Sequence, residues 1–122
     1  PLVATGPDQQ TLQQRREIAR ARLAFYVSTP AYRGAFDRYG LRDLADDLAQ
    51  LSKAQRWDEM AKRIDDQTLD QWVVCATYEQ LADRVLERFT GLIDRVELSI
   101  PVTNAAEREQ LRDIVTQIRT SA

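Results

Sequence analysis

The sequence predicts a mainly α-helical chain carrying one or two short parallel strands, and three observations lead to that fold class. Apolar residues recur at intervals of three and four through most of the chain, the spacing that gathers them on one face of a helix. The stretch Asp94-Arg95-Val96-Glu97-Leu98-Ser99-Ile100 instead alternates polar and apolar residue by residue, is rich in branched side chains and stops at Pro101, the profile of a half-buried strand. The chain also opens on a short apolar run, Leu2-Val3-Ala4-Thr5, closed by the turn pair Gly6-Pro7.

Taken in order, Leu2–Thr5 reads as a strand ending at a turn. Asp8 can accept from the free amides that open a helix, and Leu12, Ile18, Ala19, Ala21, Leu23, Phe25 and Tyr26 then give an apolar face that carries this helix to about Val27. Ser28-Thr29-Pro30 is a stop and a restart: Thr29 is placed to cap, and Pro30 is tolerated in a first turn, where its missing N–H is not needed. A short helix from Pro30 to Tyr39 ends at Gly40. Leu41, Leu44, Leu48 and Leu51 form one side of the next helix, and Trp57, Met60, Ala61 and Ile64 one side of a shorter one. Leu69, Trp72 and Val73 indicate another beginning near Asp66. The run Val73-Val74-Cys75-Ala76 fits either the end of that helix or a few residues of buried extended chain. Thr77 and Gln80 have the spacing of a capping box, Tyr78, Leu81, Ala82, Val85, Leu86 and Phe89 make the inner face of the helix that follows, and Gly91 suits its left-handed C-terminal residue. Asn104, three positions before Glu107, reads as a cap. Leu111, Ile114, Val115 and Ile118 line a last helix that frays near Thr120.

Composition narrows the function classes. A 122-residue chain has room for one core. With 43% hydrophobic and 30% charged residues it folds rather than staying disordered. Its 17 basic and 19 acidic residues are interspersed, so no basic stripe is offered to nucleic acid. The longest apolar stretch, Trp72–Ala76, is far short of a bilayer span, and a cytoplasmic protein without a membrane partner is expected. The absence of histidine removes the commonest general base and the usual zinc sites, so neither a catalytic residue nor a metal ligand is assigned. Cys75, in the apolar run, reads as a small buried hydrophobe.

The predicted strand at 94–100 poses a pairing problem. An unpartnered buried backbone group costs about 1–3 kcal/mol. A partner at Leu2–Thr5 would have to be parallel, because helices separate the two, and parallel strands are stable when several lie side by side and covered. The missing strands are expected from a longer parent polypeptide or a second copy of the chain.

Phe25-Tyr26-Val27-Ser28-Thr29-Pro30-Ala31-Tyr32-Arg33, Leu51-Ser52-Lys53, Trp57-Asp58-Glu59-Met60, Ile64-Asp65-Asp66, the Thr77–Phe89 helix and Gly91-Leu92-Ile93-Asp94-Arg95-Val96 resemble the C-terminal stretch of luciferase-like monooxygenases of the deazaflavin-dependent (coenzyme F-420) type. The resemblance covers nearly the whole chain and implies the C-terminal fragment of a (β/α)8 TIM barrel. On that reading 1–7 is the end of a barrel strand, 8–76 a helical insertion or lid, 77–91 a barrel helix, 94–100 a barrel strand and 104–120 the C-terminal helix. It further implies a flavin- or deazaflavin-dependent oxidoreductase in the intact parent, using coenzyme F-420 or FMN, with the isolated chain inactive and no coenzyme bound to it alone. The rest of the barrel, or a homo-oligomeric copy, is the implied partner. Strand ends carry the site in such barrels. That implies Gly6-Pro7-Asp8, the region around Tyr26–Arg33 and Pro101–Asn104 near it, with Tyr26, Ser28, Thr29, Tyr32 and Arg33 as substrate or lid candidates.

The plainer reading of those five residues is that Ser28 and Thr29 cap, Tyr26 and Tyr32 pack, and Arg33 is solvated. Asp46-Asp47 and Asp65-Asp66 do not converge as paired carboxylates, since neighbours on a helix point about 100° apart. They read as solvated face or cap. Trp57 and Trp72, at helical spacing with Met60 and Leu69, read as core.

Overall fold

A computed structural model describes residues 1–121. The chain divides into two compact units, Pro1–Arg16 with Asp70–Ala122 and Glu17–Leu69. The chain is mainly helical with two short parallel strands.

The first unit is built on β1 (Leu2–Gly6) and β2 (Val73–Thr77), which pair in parallel with Leu2 opposite Val73 and Gly6 opposite Thr77. Side chains alternate across a strand. Val3 and Thr5 of β1 therefore share a face with Val74 and Ala76 of β2, and against that face pack α6 (Tyr78–Phe89) and α7 (Ala105–Ser121). Leu81, Ala82, Val85 and Ile114 are fully buried there, with Val96, Leu98, Ile100 and Ile118 half-buried around them. Burial of each large aliphatic side chain stabilises by about 1.5–3 kcal/mol. Of the predicted inner faces, Ile114 and Ile118 on α7 and Leu81, Ala82, Val85 and Phe89 on α6 are thus the residues this core uses.

The second unit is helical. It holds the C-terminal part of α1 (Gln9–Ser28), a 3-10 turn (Pro30–Tyr32), α2 (Arg33–Asp37), α3 (Arg42–Lys53), α4 (Trp57–Lys62) and the start of α5 (Asp66–Trp72). α3 packs on α2 and on α4. Ala45, Leu48, Leu51, Met60 and Ile64 are buried, as are Leu23, Ala24 and Val27 of α1. Gly40 takes a φ of +74°, the left-handed value that ends the Phe36–Tyr39 turn at low steric cost.

Several expectations need correction. Asp94–Ile100 is extended with the predicted alternation of half-buried Val96, Leu98 and Ile100, but it is not a strand: among the described residues one parallel bridge, Ser99 with Leu2, is its whole pairing. The strand lies instead at Val73–Thr77, where the sequence left helix and extended chain open. Pro30–Tyr39 is not one helix, because the turn at Pro30–Tyr32 precedes a separate α2. Thr29 and Thr77 occupy N-cap positions without giving a side-chain cap. Asp8 and Asn104 do cap, each accepting from the backbone N–H three residues on, at 2.7 and 2.9 Å. Trp57 is 52% exposed and so is not core, whereas Met60 and Leu69 are. Ile18 and Phe25 also lie on the open side of α1.

Leu81→Ala removes a side chain with no exposed surface from the face of the parallel pair. It is expected to cost about 2–5 kcal/mol in guanidinium denaturation, with a lowered midpoint and an unchanged slope.

Candidate functional site

Both strands end at the same edge of the first unit, and in parallel α/β structures the carboxyl ends of the strands are where ligands are held. The Gly6-Pro7-Asp8 turn leaves β1 there. It closes tightly onto the start of α1, since a Cβ on Gly6 would come within 2.9 Å of the Thr11 methyl. From the next turn of α1, the Arg15 guanidinium reaches back and donates through Nη1 to the Thr5 carbonyl at 2.9 Å and to the Tyr78 hydroxyl at 3.2 Å. Its Nη2 lies 3.6 Å from the Glu107 carboxylate. Glu107 in turn accepts from the backbone N–H and the hydroxyl of Thr103, each at 2.7 Å. One half-exposed cation therefore ties together the end of β1, the start of α6, the loop before α7 and the first turn of α7.

The backbone N–H of Thr103 and then its hydroxyl, together with Arg15, hold the Glu107 carboxyl below the usual carboxylate range. It is ionised at neutral pH and serves as an acceptor, not as a proton donor. The Thr5 hydroxyl, 2% exposed, has no hydrogen-bond partner among the described residues. The cluster can orient polar groups.

The five candidates of the sequence lie in the second unit and do come together. The Tyr26 ring meets Tyr32 edge-on at 5.6 Å and Phe25 at 6.3 Å, with the Arg22 guanidinium over its face at 5.8 Å. Ser28 and Thr29 donate back to the Phe25 carbonyl at 2.7 and 2.8 Å, so both hydroxyls are spent on the end of α1. Arg33 is not simply solvated: it is paired with Asp46 and, at 3.8 Å, with Asp37. Phe25, Tyr26 and Tyr32 form an aromatic corner, the Ser28 and Thr29 hydroxyls are turned back on α1, and Arg33 is held between two carboxylates. Among the carboxylate pairs, Asp65 caps α5 by accepting from Thr68 N–H at 2.7 Å, as the plainer reading has it.

A cleft of about 450 Å³ flanks β2, lined by Arg16, Asp70, Cys75, Arg84, Glu87 and Arg88 among others. Arg16 pairs with Asp70 at 2.7 Å. Arg88 donates to the carbonyls of Asp70 at 3.2 Å, Val73 at 3.3 Å and Gln71. Burial pushes the Cys75 thiol above its ordinary range, against the opposing influence of Arg16, and leaves it protonated and weakly nucleophilic at neutral pH.

Gly6–Asp8 and Pro101–Asn104, which the resemblance implies near the site of a parent barrel, adjoin this cluster, whereas the sequence did not single out Arg15, Tyr78 or Glu107 as site residues. Nothing local distinguishes Arg15 from Arg16, Arg20 or Arg22. The one available signal was Glu107, whose spacing of three from Asn104 marks a helix start.

Because the folded Glu107 carboxyl titrates below its unfolded value, its contribution to stability is present at neutral pH and is lost as pH falls through the ordinary glutamate range. Glu107→Gln removes that contribution. The stability difference between the native chain and this variant, measured by denaturation, is therefore expected to be largest near neutrality and to shrink by about pH 3.

Among known proteins, the chain is similar to uncharacterized proteins of Mycobacterium bovis and Mycobacterium tuberculosis, 35% identical over 118 residues. The match takes in 97% of this chain and 34% of each relative, so the chain spans about a third of the length of the curated relatives it matches. No family model and no solved structure matches it.

Proposed function

We propose that this chain is the C-terminal part of a luciferase-like, deazaflavin- or flavin-dependent oxidoreductase, supplying a lid and the last unit of a (β/α)8 barrel, and that it is catalytically incomplete alone. The observation that carries this reading is the arrangement of the first unit. β1 lies between β2 and the extended 94–100 segment, all three run in one direction, and the helices α6 and α7 cover one face. Parallel strands covered by helices are stable in larger sheets or closed barrels, so a pair with one added bridge calls for further strands. The length of the mycobacterial relatives, of which this chain matches 34%, is consistent with such a parent.

The coenzyme would carry the hydride chemistry of the parent, while the polypeptide binds, orients and excludes water. The residues of this chain do not make a coenzyme site by themselves. Arg15 is committed to Thr5, Tyr78 and Glu107, and Arg33 to Asp37 and Asp46. No reaction step is assigned to them. In the parent, the role of Arg15 is to fix the end of β1 and the loops beside it, and that of Arg33 is to tie α2 to α3.

A second reading, a non-enzymatic helical module that associates with itself or a partner, is favoured by Ile18, Phe25 and Tyr32. All three are about half or more exposed in the helical unit. Light scattering separates the two, since a well-ordered monomer at micromolar concentration argues for a freestanding module.

Fluorescence titration with coenzyme F-420 and with FMN is expected to give no saturable binding to this chain. A longer polypeptide ending in this sequence is expected to bind one of them saturably. Failure of the longer polypeptide to bind either would overturn the oxidoreductase reading.

A further inference from the structure

The single bridge between Leu2 and Ser99 fixes a register, and that register has a consequence for Asp94–Leu98. In a parallel pair each step back along one strand is one step back along the other. With Leu2 opposite Ser99, Pro1 falls opposite Leu98, and the four residues Glu97, Val96, Arg95 and Asp94 fall opposite positions preceding Pro1. β2 occupies the other edge of β1, from Leu2 to Gly6. The alternation of half-buried Val96, Leu98 and Ile100 with exposed Arg95, Glu97 and Ser99 is already that of a strand in place. Its side chains are seated, and its ladder partners are what it lacks.

We propose that, in a longer polypeptide, the four residues immediately before Pro1 continue β1 and pair in parallel with Asp94–Glu97, turning this segment into a full third strand. Open space runs along the segment, a cleft of about 560 Å³ lined in part by Val96, Leu98, Leu111, Val115 and Ile118. Val3 faces the α6 and α7 core, so the second and fourth residues before Pro1 share its face by strand parity and meet the apolar wall of that cleft. Those two positions take apolar, preferably β-branched, side chains, and the first and third take polar ones. Pro1 has no backbone donor, so its rung is at most one bond short and the residues before it carry the ladder. The inference shares with the proposed function the premise of a longer polypeptide, but it is independent of any coenzyme.

Amide hydrogen exchange read by NMR tests it in three proteins: the 122-residue chain, the same chain with Val-Thr-Val-Thr added before Pro1, and the same chain with Gly-Pro-Gly-Pro added there. Pairing predicts that amides within Arg95–Leu98 exchange about tenfold or more slowly with the Val-Thr-Val-Thr extension and at the unextended rate with Gly-Pro-Gly-Pro. Val96→Pro in the first extended chain removes the protection while the helical circular dichroism stays unchanged. Equal rates in all three proteins, or equal slowing by both extensions, would overturn the proposal. So would protection in the unextended chain that grows with concentration, since the occupant would then be a second copy. No coenzyme enters the measurement, so its failure leaves the titration of the longer polypeptide to decide the oxidoreductase reading separately.

Discussion

The backbone of β1 finds its hydrogen-bond partners in parallel extended segments delivered by long connections. β2 arrives on one edge after the helices α1 to α5, and the 94–100 segment touches the other after α6. A parallel pair cannot be closed by a tight turn, so each partner has to come with a helix of its own. That requirement places α6 and then α7 on the face shared by Val3, Val74 and Ala76, and it puts every strand end, with the loop that follows, on the same side. The Arg15 cluster sits there because that is where chain ends from different elements converge.

Within each unit, arginines satisfy carbonyls that the helices and strands leave open. Arg15 satisfies the Thr5 carbonyl, Arg20 satisfies the Ile64 carbonyl at 2.6 Å, and Arg88 satisfies three carbonyls around the start of β2. A guanidinium is suited to the task because its planar fork presents several donors in fixed directions. These three cations, which look available in the sequence, are therefore structural, and the same holds for Arg33 between Asp37 and Asp46. What remains at the strand ends is a set of oriented polar groups.

Helical faces were legible because burial follows their period, as with Leu48 and Leu51 on α3 or Leu81 and Val85 on α6. Strands were harder. Val73–Ala76 is buried on both faces and shows no alternation, so period could not separate it from the end of a helix. Asp94–Ile100 alternates as a strand should, and its side chains face as the alternation says, but alternation reports which way side chains point and not whether a ladder partner is present. Ile18, Phe25 and Trp57 misled for a related reason: a helix has a turn's worth of apolar positions to spare, and the sequence does not say which of them the neighbours reach. The site was legible only where it coincides with a turn or a cap, at Gly6–Asp8 and Asn104. Arg15 and Tyr78 meet across a separation in sequence that no local pattern records.

β2 is joined to its helices without any spacer: α5 ends at Trp72, the strand runs from Val73 to Thr77, and α6 starts at Tyr78. One residue gained or lost inside the strand would turn Val74 and Ala76 away from the core and present Cys75 to it, while also sliding the acceptors away from Arg88. Variation in chain length among homologues should accordingly be absent from 66–89 and collect in the bends at 38–41, 54–56 and 90–93.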